Sequence, residues 1–497
     1  VSLADRLWNT PSRNFYLAIV VILLLGTALG SKEIWTQETR WANIVLHMLQ
    51  TGDYLHPFLR GEAYYDKPLL SYWLIVMASW LTDGLTLVSL RLPSVLAGLL
   101  AVYCTVQLGR QWFNRSVGLV AGWMLATSFF FIFWSRTAST DMLNIAGMLL
   151  AVLWYVKKQN QTSFVNYLVF FIIMSLTSLC KGLLGFVLPL IVIAPHILTH
   201  HRWRQHLNFS LLLAAIPALL IYALPFWLSS QSGTEINYQD NGLYLSFRES
   251  VVRFFQPYDH IGPIYLYFLY LPIYGLPWTL LLFPALWTLR TDWRNLSENA
   301  RWLILAIALL FIFFTLSGSR RSYYVLPLIP FAMLFIANWL QTRPKLLQAA
   351  AYGVVSFAAI WFVVFAVAMP WYYGGGGLSV FANMVRETAE QQRPWQDWNI
   401  VMLDASNKVP VYLHNDSVFE YIAAPQEAVS TPEDLLKNWP ILSQHTANTI
   451  FVADPSYQPL LDDLFIKDYQ QVIAPPTRGK RVLGGKTEGD AVAYIPR

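Results

Sequence analysis

Apolar runs long enough to cross a lipid bilayer decide the class of this chain before any motif does. A helix needs roughly 20 mostly apolar residues to span the hydrocarbon core. Within lipid, its backbone polar groups must be satisfied inside the segment. Runs of this kind lie near residues 15–30, 88–109, 116–134, 140–156, 164–180, 183–199, 208–229, 264–289, 302–316, 323–340 and 348–369. The run at 69–81 is apolar but short, and reads as interfacial or re-entrant. Only 13% of the 497 residues are charged, against about 25% in an ordinary soluble domain. The expected architecture is an α-helical polytopic membrane protein of about 11–13 transmembrane helices. The run at 15–30, behind Arg6 and Arg13, could pass for a secretory leader; it is read as an uncleaved first helix.

Loop charges orient these spans. With the N-terminus inside, one set of loops carries Arg110 and Arg115, Lys157 and Lys158, Arg202 and Arg204, Arg290, Arg294 and Arg301, then Arg343 and Lys345. An excess of Lys and Arg marks the cytoplasmic side. The opposite set comprises the opening loop at 31–87, the start of the fourth span at Asp141, a large loop at 230–262 and the turn at 317–322. After Pro370 the texture changes. The chain therefore reads as a transmembrane domain over 1–372, a glycine-containing hinge over 373–397 and a small α/β domain over 398–497 on the outer side. In that last part "NIVMLD", "VPVYL" and "TIFVAD" read as β-rich, and "TPEDLLKNW" and "YQPLLDDLF" as helical. The net charge of +5 is spread over short loops, so a nucleic-acid partner is not expected. No P-loop, dinucleotide glycine fingerprint or zinc-type spacing occurs, so no nucleotide cofactor is expected. Cys104 and Cys180 sit in separate apolar segments, and imply no disulfide framework.

Ionisable residues gather on the outer set of loops. The opening loop holds Glu38, Arg40, Asp53, Asp66 and Lys67. "RTASTDML" holds Asp141, "SLCKGLLGF" holds Lys181, "SFRESVVRFFQPYDH" holds Arg248 and Arg253, and "SGSRRSYYVLPLIP" holds Arg320 and Arg321. Charge held near lipid is costly and is a functional signal by default. Arg and Lys beside a bilayer suit a lipid phosphate; nearby carboxylates suit a general base or a divalent metal. Each cation taken singly could equally snorkel to the interface or meet lipid head groups. Asp141 alone could be a helix cap. Convergence of four loops on one face favours a shared polar site. A flippase for a lipid-linked sugar and a non-catalytic scaffold stay open. Internal repeats and mid-membrane binding groups, the usual marks of a transporter, are not seen.

An ordered set of motifs resembles a known family. "WTQETRWANIVLHMLQTGDYLHPFLRGEAYYDKPLLSYWL", "RLPSVLAGLL", "TDMLNIAGMLL", "LTSLCKGLLGFVLPL", "RFFQPYDHIGPIYLY" and "SGSRRSYYVLPLIPF" follow in order from residue 15 to about 340. Together they are similar to the polytopic type-C glycosyltransferases that use polyprenyl-phosphate sugars, above all the bacterial aminoarabinose (lipid A) transferases and the related protein O-mannosyltransferases. The resemblance implies a type-C glycosyltransferase fold in the inner membrane, amphipathic juxtamembrane helices in the first outer loop, and inversion at the anomeric carbon. It implies an undecaprenyl-phosphate sugar donor and a lipid or glycan acceptor, lipid A or lipopolysaccharide first, with a protein hydroxyl as the alternative. By motif, Asp66 is the expected metal ligand, for a divalent ion. Lys67, Arg253, Arg320, Arg321, Tyr323 and Tyr324 are the expected contacts to donor phosphate. Asp141 matches the second acidic position, and Lys181 the Lys-Gly step. One step departs from the family. Its first loop normally reads Asp-Glu-x-Arg, whereas here Gln37, Glu38, Thr39 and Arg40 stand in order. Glutamine cannot act as a carboxylate base. Glu38 or Asp141 is then the catalytic candidate, or the acceptor is acidic enough to need little help.

Overall fold

The computed structural model describes residues 3–8, 13–59, 62–231, 248, 252, 255–256, 260–415, 418–425, 429–443, 447–465, 467–482 and 491–497. The chain divides into two compact units. The first comprises Val1–Thr27, Tyr65–Ile75 and Arg91–Val363; the second comprises Ala28–Tyr64, Val76–Leu90 and Val364–Arg497.

The first unit is helical. Among the described residues of the whole chain, six helices are long and apolar enough to cross a bilayer: Leu87–Trp112, Phe164–Lys181, Phe209–Ser229, Glu298–Leu316, Ser322–Leu340 and Pro344–Tyr373. Two bent pairs raise the number to as many as eight. Arg115–Thr127 meets Phe129–Ser135 at 70°, and Leu266–Tyr274 meets Trp278–Arg290 at 115°. The expected runs at 15–30, 69–81 and 183–199 are the shorter helices Arg13–Gly26, Leu70–Trp80 and Leu184–Thr199. None of these three reaches the roughly 20 residues of a straight crossing. The chain is a multi-pass membrane protein, in which bends and short helices replace some of the straight spans expected.

The two breaks satisfy each other. Freed backbone groups are tolerated at membrane depth only where protein buries them. Here the Phe129 N–H donates to the Leu276 carbonyl at 3.0 Å. Trp278 Nε1 donates to Thr127 Oγ1 at 2.9 Å, and Trp361 Nε1 to the Thr127 carbonyl at 3.1 Å. Another exposed end is closed by Arg136, whose guanidinium donates to the carbonyls of Leu24, Leu25 and Thr27 at 2.7–3.0 Å. Those carbonyls end the helix Arg13–Gly26, where a cation meets the negative end of the helix dipole.

The helices Thr140–Lys158 and Phe164–Lys181 form a tight antiparallel pair. Small residues allow close approach where lipid supplies no hydrophobic drive between helices. Gly147 is such a point: a Cβ there would overlap the Thr177 side chain.

The second unit contains a small hairpin, β1 (Phe58–Leu59) with β2 (Glu62–Ala63), and a five-stranded mixed sheet. The sheet comprises β3 (Asn399–Leu403), β4 (Glu420–Ile422), β5 (Thr449–Ala453), β6 (Tyr469–Ile473) and β7 (Val492–Pro496), in the order β4-β3-β5-β7-β6. β3 pairs in parallel with β4 and β5, while β7 runs antiparallel to β5 and β6. The near-continuous apolar runs of β3, β5 and β7 are buried, as central strands require. Leu435, Trp439, Leu461, Phe465 and Tyr494 close the core against β3 and β5. "TPEDLLKNW" and "YQPLLDDLF" supply the helices Pro432–Asn438 and Gln458–Phe465 as expected. "VPVYL", expected as β-rich, is instead a helical turn at Pro410–Leu413. Pro410 brings no N–H for a ladder and suits the first turn of a helix. The stretch read as a hinge holds the helix Leu378–Glu390, whose buried Leu378, Phe381, Ala382, Val385 and Ala389 recur at helical spacing.

Gly147→Val forces Thr177 away and is expected to cost about 1–3 kcal/mol. Gly26→Ala adds a methyl where nothing stands within 4 Å, and should stay within about 0.5 kcal/mol. Thermal unfolding of the protein in lipid nanodiscs checks both, and equal melting temperatures for the two would contradict the close approach.

Candidate functional site

Asp141 and Lys181 are brought together by the antiparallel helix pair. Ser139 caps the helix that begins at Thr140, its Oγ accepting the Asp141 N–H at 3.2 Å. Asp141 therefore sits in the first turn, and Lys181 is the last residue of its own helix. Acid at a helix start and base at a helix end are each favoured by the helix dipole. The two side chains, each only 10% exposed, form a salt bridge. Gly182 follows at φ 75°, a conformation that glycine adopts readily, and its N–H donates to the Ser178 carbonyl at 2.7 Å as the helix ends. The Lys181 ammonium also lies 5.2 Å from the centre of the Tyr324 ring.

The segment 315–324 completes this cluster. Arg320 Nε and Nη2 donate to the Thr315 carbonyl at 3.1 and 3.0 Å, and its Nη1 to the Gly262 carbonyl at 2.6 Å. Its backbone N–H donates to the His260 carbonyl at 2.8 Å. Arg320 thus braces two loops, although a guanidinium carries five N–H donors and these bonds use three. Arg321 Nη1 donates to the Tyr323 hydroxyl at 2.8 Å, and Nη2 meets the His260 ring. The Arg321 Nε is buried and has no hydrogen-bond partner. Tyr323 packs against Trp134 with ring centres 4.6 Å apart, and meets Tyr324 edge-on at 5.3 Å. A run of contacts therefore links Asp141, Lys181, Tyr324, Tyr323 and Arg321. Sequence reasoning missed His260 and Trp134. His260 ends the quoted "QPYDH", but nothing in its spacing ties it to Arg321.

The remaining expected residues are placed as follows. Asp66 and Lys67 are half-buried, and Lys67 Nζ donates to the Asp66 carbonyl at 2.8 Å. Arg253 lies outside the described residues. In the second unit, the helix Thr36–Thr51 carries Gln37, Glu38 and Arg40. Glu38 is fully buried, and its Oε2 accepts the Trp35 N–H at 2.9 Å, as the third residue of a helix does in a capping box. Arg40 donates to the Tyr64 hydroxyl at 2.8 Å and stacks 5.0 Å from the Trp41 ring centre. Asp53 closes a turn by accepting the N–H groups of Leu55 and His56 at 3.0 and 3.1 Å. Partial burial works to raise its pKa. The backbone bonds and the His56 ring outweigh that and hold it below the usual carboxylate range. Among the described residues, no group of three or more His, Cys, Asp or Glu side chains could hold a metal ion. A zinc-type cage is therefore not assembled from them. The expectation at Asp66 is of another kind, a magnesium-type ion held by one carboxylate with substrate phosphate and water.

The chain is similar to known proteins, and the family match takes in Asp66, Lys67, Asp141 and Lys181. The dolichyl-phosphate-mannose-protein mannosyltransferase family matches residues 66–228. An undecaprenyl phosphate-α-4-amino-4-deoxy-L-arabinose arabinosyl transferase of Pseudomonas aeruginosa (strain UCBPP-PA14) is 29% identical over 319 residues, covering 62% of this chain and 56% of that protein. The chain thus matches just over half the length of that relative. A transferase of the same name from Pectobacterium carotovorum is 28% identical over 390 residues, covering 74% of this chain and 68% of the relative. The crystal structure of ArnT from Cupriavidus metallidurans bound to undecaprenyl phosphate shares the fold, with a TM-score of 0.71 at 15% identity over 98% of both chains. Over 62–74% of its length this chain is thus similar to bacterial aminoarabinose transferases, and over 98% of it the fold is that of ArnT.

Proposed function

We propose that the protein is an inverting glycosyltransferase of the bacterial inner membrane, moving a sugar from undecaprenyl phosphate to lipid A or lipopolysaccharide at the periplasmic face. The observation that carries this reading is the Arg321 guanidinium, fixed by Tyr323 with a buried Nε left unpartnered, in contact with the Asp141–Lys181 cluster through its tyrosines. A cation held so, beside apolar and aromatic side chains, suits a lipid phosphate. The names of the relatives supply the donor class.

In the proposed step an acceptor oxygen attacks the anomeric carbon from the face opposite the phosphate. The new C–O bond forms as the bond from C1 to the phosphate oxygen breaks, and polyprenyl phosphate leaves with the electron pair. Lys67, Arg320 and Arg321, with Arg253, meet the charge that grows on that phosphate. Positioned charges of this kind are a large source of rate enhancement. Tyr323 and Tyr324 hold the arginine and the lysine in place and give the lipid an aromatic wall. A divalent ion at Asp66 would neutralise further charge on the leaving group. The acceptor's proton is the open account. Gln37 cannot take it, Glu38 is buried in a helix cap and Asp141 is paired. A phosphate monoester acceptor is already largely ionised near neutral pH, with a second pKa of about 6, and needs no base. Lipid A carries such groups. A protein hydroxyl is the second reading, favoured by the family description over residues 66–228; there Glu38 or Asp141 takes the proton.

Purified protein in nanodiscs, given labelled undecaprenyl-phosphate aminoarabinose and lipid A, is expected to release free undecaprenyl phosphate. Lys67→Ala and Arg321→Ala should each lower kcat by about 10²–10³, and a chelator tests the ion at Asp66. Lipid movement across the bilayer without release would replace the reading with a flippase. Glu38→Gln keeps the cap, since Gln serves at that position too. Its turnover with lipid A is expected within about threefold of the parent, whereas loss of roughly 10²–10⁴ would make Glu38 a general base. Asp141→Asn leaves the Lys181 charge buried and unpaired, at a cost of about 3–5 kcal/mol in thermal unfolding. Asp141→Asn with Lys181→Met should recover most of that; no recovery would contradict the pairing.

A further inference from the structure

The second unit contains a cavity of about 1170 Å³ that the transfer chemistry does not use. It is lined by the C-terminal half of the helix Thr36–Thr51 at Leu46 and Gln50, by the turn at Asp83–Leu85, by the helix Leu378–Glu390 and by residues 392–396 and 414–415. Gln50 lies about 18 Å from Glu38 along their shared helix, at 1.5 Å per residue. The cavity is thus remote from the first-loop motif Gln37–Arg40.

Two arginines dominate its wall. The Arg386 guanidinium lies 5.3 Å from the Trp395 ring centre, and that of Arg393 4.8 Å from the Trp398 ring centre. Stacking fixes each guanidinium without consuming its N–H donors. The Nε of both is buried and has no hydrogen-bond partner. Among the described residues neither arginine forms an ion pair, although Glu390 lies on the same wall. Unpartnered buried donors on two prepositioned cations are costly unless an anion meets them. The wall is built rather than loose. Asn415 Nδ2 donates to the Trp398 carbonyl at 2.9 Å, Gln50 Nε2 to the Asn415 carbonyl at 3.0 Å, and Thr82 Oγ1 to the Gly84 carbonyl at 2.8 Å.

The rest of the lining argues for more than a bare ion. The volume is that of a site for a whole small molecule. The carboxylates of Asp83 and Glu390, both exposed on the wall, can accept from sugar hydroxyls and would only repel a lone phosphate. The turn Asp83–Leu85 is flanked in the chain by Trp80, Leu81 and Val88, which are 66%, 79% and 40% exposed. Exposed Trp beside aliphatic residues marks a bilayer interface. We propose that this cavity binds the phosphorylated saccharide headgroup of a glycolipid, with Arg386 and Arg393 on the phosphate and Asp83 and Glu390 on hydroxyls. That the bound glycolipid is the acceptor rests on the transfer reading above; the site itself does not.

The test is binding to the full chain in phosphatidylcholine nanodiscs, read by calorimetry without any donor present. Glucosamine 1-phosphate is expected to bind saturably, and glucosamine not at all. Arg386→Gln with Arg393→Gln should weaken binding roughly tenfold or more, while Glu390→Gln should tighten it about two- to threefold by removing a like charge. A gain of affinity cannot come from misfolding. Lipid A placed in the nanodisc that weakens the binding of glucosamine 1-phosphate to the parent protein by competition assigns a lipid source. Sugar phosphate binding with no competition from lipid A assigns a soluble one; both support the site. Unchanged affinity in the double variant overturns the proposal, as does inorganic phosphate binding as tightly as the sugar phosphate. Absence of undecaprenyl phosphate release would instead overturn the transfer reading, and leaves these affinities unaltered.

Discussion

The Asp141–Lys181 salt bridge is the constraint around which the rest of the helical unit is organised. It is possible because two helices of nearly equal length run antiparallel through a short connection. About 25 Å up one helix and back down the other returns the chain to the same level. The acid then stands at a helix start and the base at a helix end, so each charge meets the dipole it prefers. Gly147 lets the Thr177 side chain in between, which holds the helices close enough for the pair to form. A buried pair of this kind is poor evidence of net stability, because desolvation offsets much of the attraction. What it secures is position. It fixes the Lys181 ammonium over Tyr324, and through the two tyrosines it reaches Arg321.

Bends serve the same end. A membrane protein whose helices were all straight would have no backbone to spare for loops at the lipid boundary. Here the breaks after Thr127 and Leu276 exchange a backbone hydrogen bond, so each bend covers the polar groups that the other exposes. The short helix Phe129–Ser135 that results carries Trp134 against Tyr323. Phe130 stacks on Tyr274, whose hydroxyl is 2.9 Å from Ser322 Oγ. Irregular geometry is thus spent where the candidate site is built, and satisfied backbone keeps it affordable.

Much of this was legible in the residues. Apolar run length found the helices, and the sparse charges marked Asp141, Lys181, Arg320 and Arg321, because a charge near lipid needs a reason. The bends escaped, since an apolar run of about 25 residues looks the same whether it crosses once or doubles back. Arg320 is an expected phosphate contact, yet three of its five donors also go to carbonyls. No one-dimensional pattern marks which N–H groups a loop will claim. The helix Leu378–Glu390 was hidden by the glycines before it, although its apolar spacing was present. Arg386 and Arg393 were invisible as a pair of functional interest. Their cavity draws on residues 46–50, 83–85, 386–396 and 414–415, and only folding brings those together.

The glutamine at position 37 ties these observations into one chemical argument. With Gln37 in place of a carboxylate and Glu38 engaged in capping a helix, the proposed transfer would draw its nucleophile most simply from an acceptor that arrives ionised. Phosphate monoesters meet that condition at neutral pH and alcohols do not, since a hydroxyl must shed its proton as the bond forms. An acceptor of that kind carries negative charge wherever it rests on the protein. It would therefore be drawn to any preformed cationic surface it passes, and in the proposed transfer the charge it brings would stand in for a base.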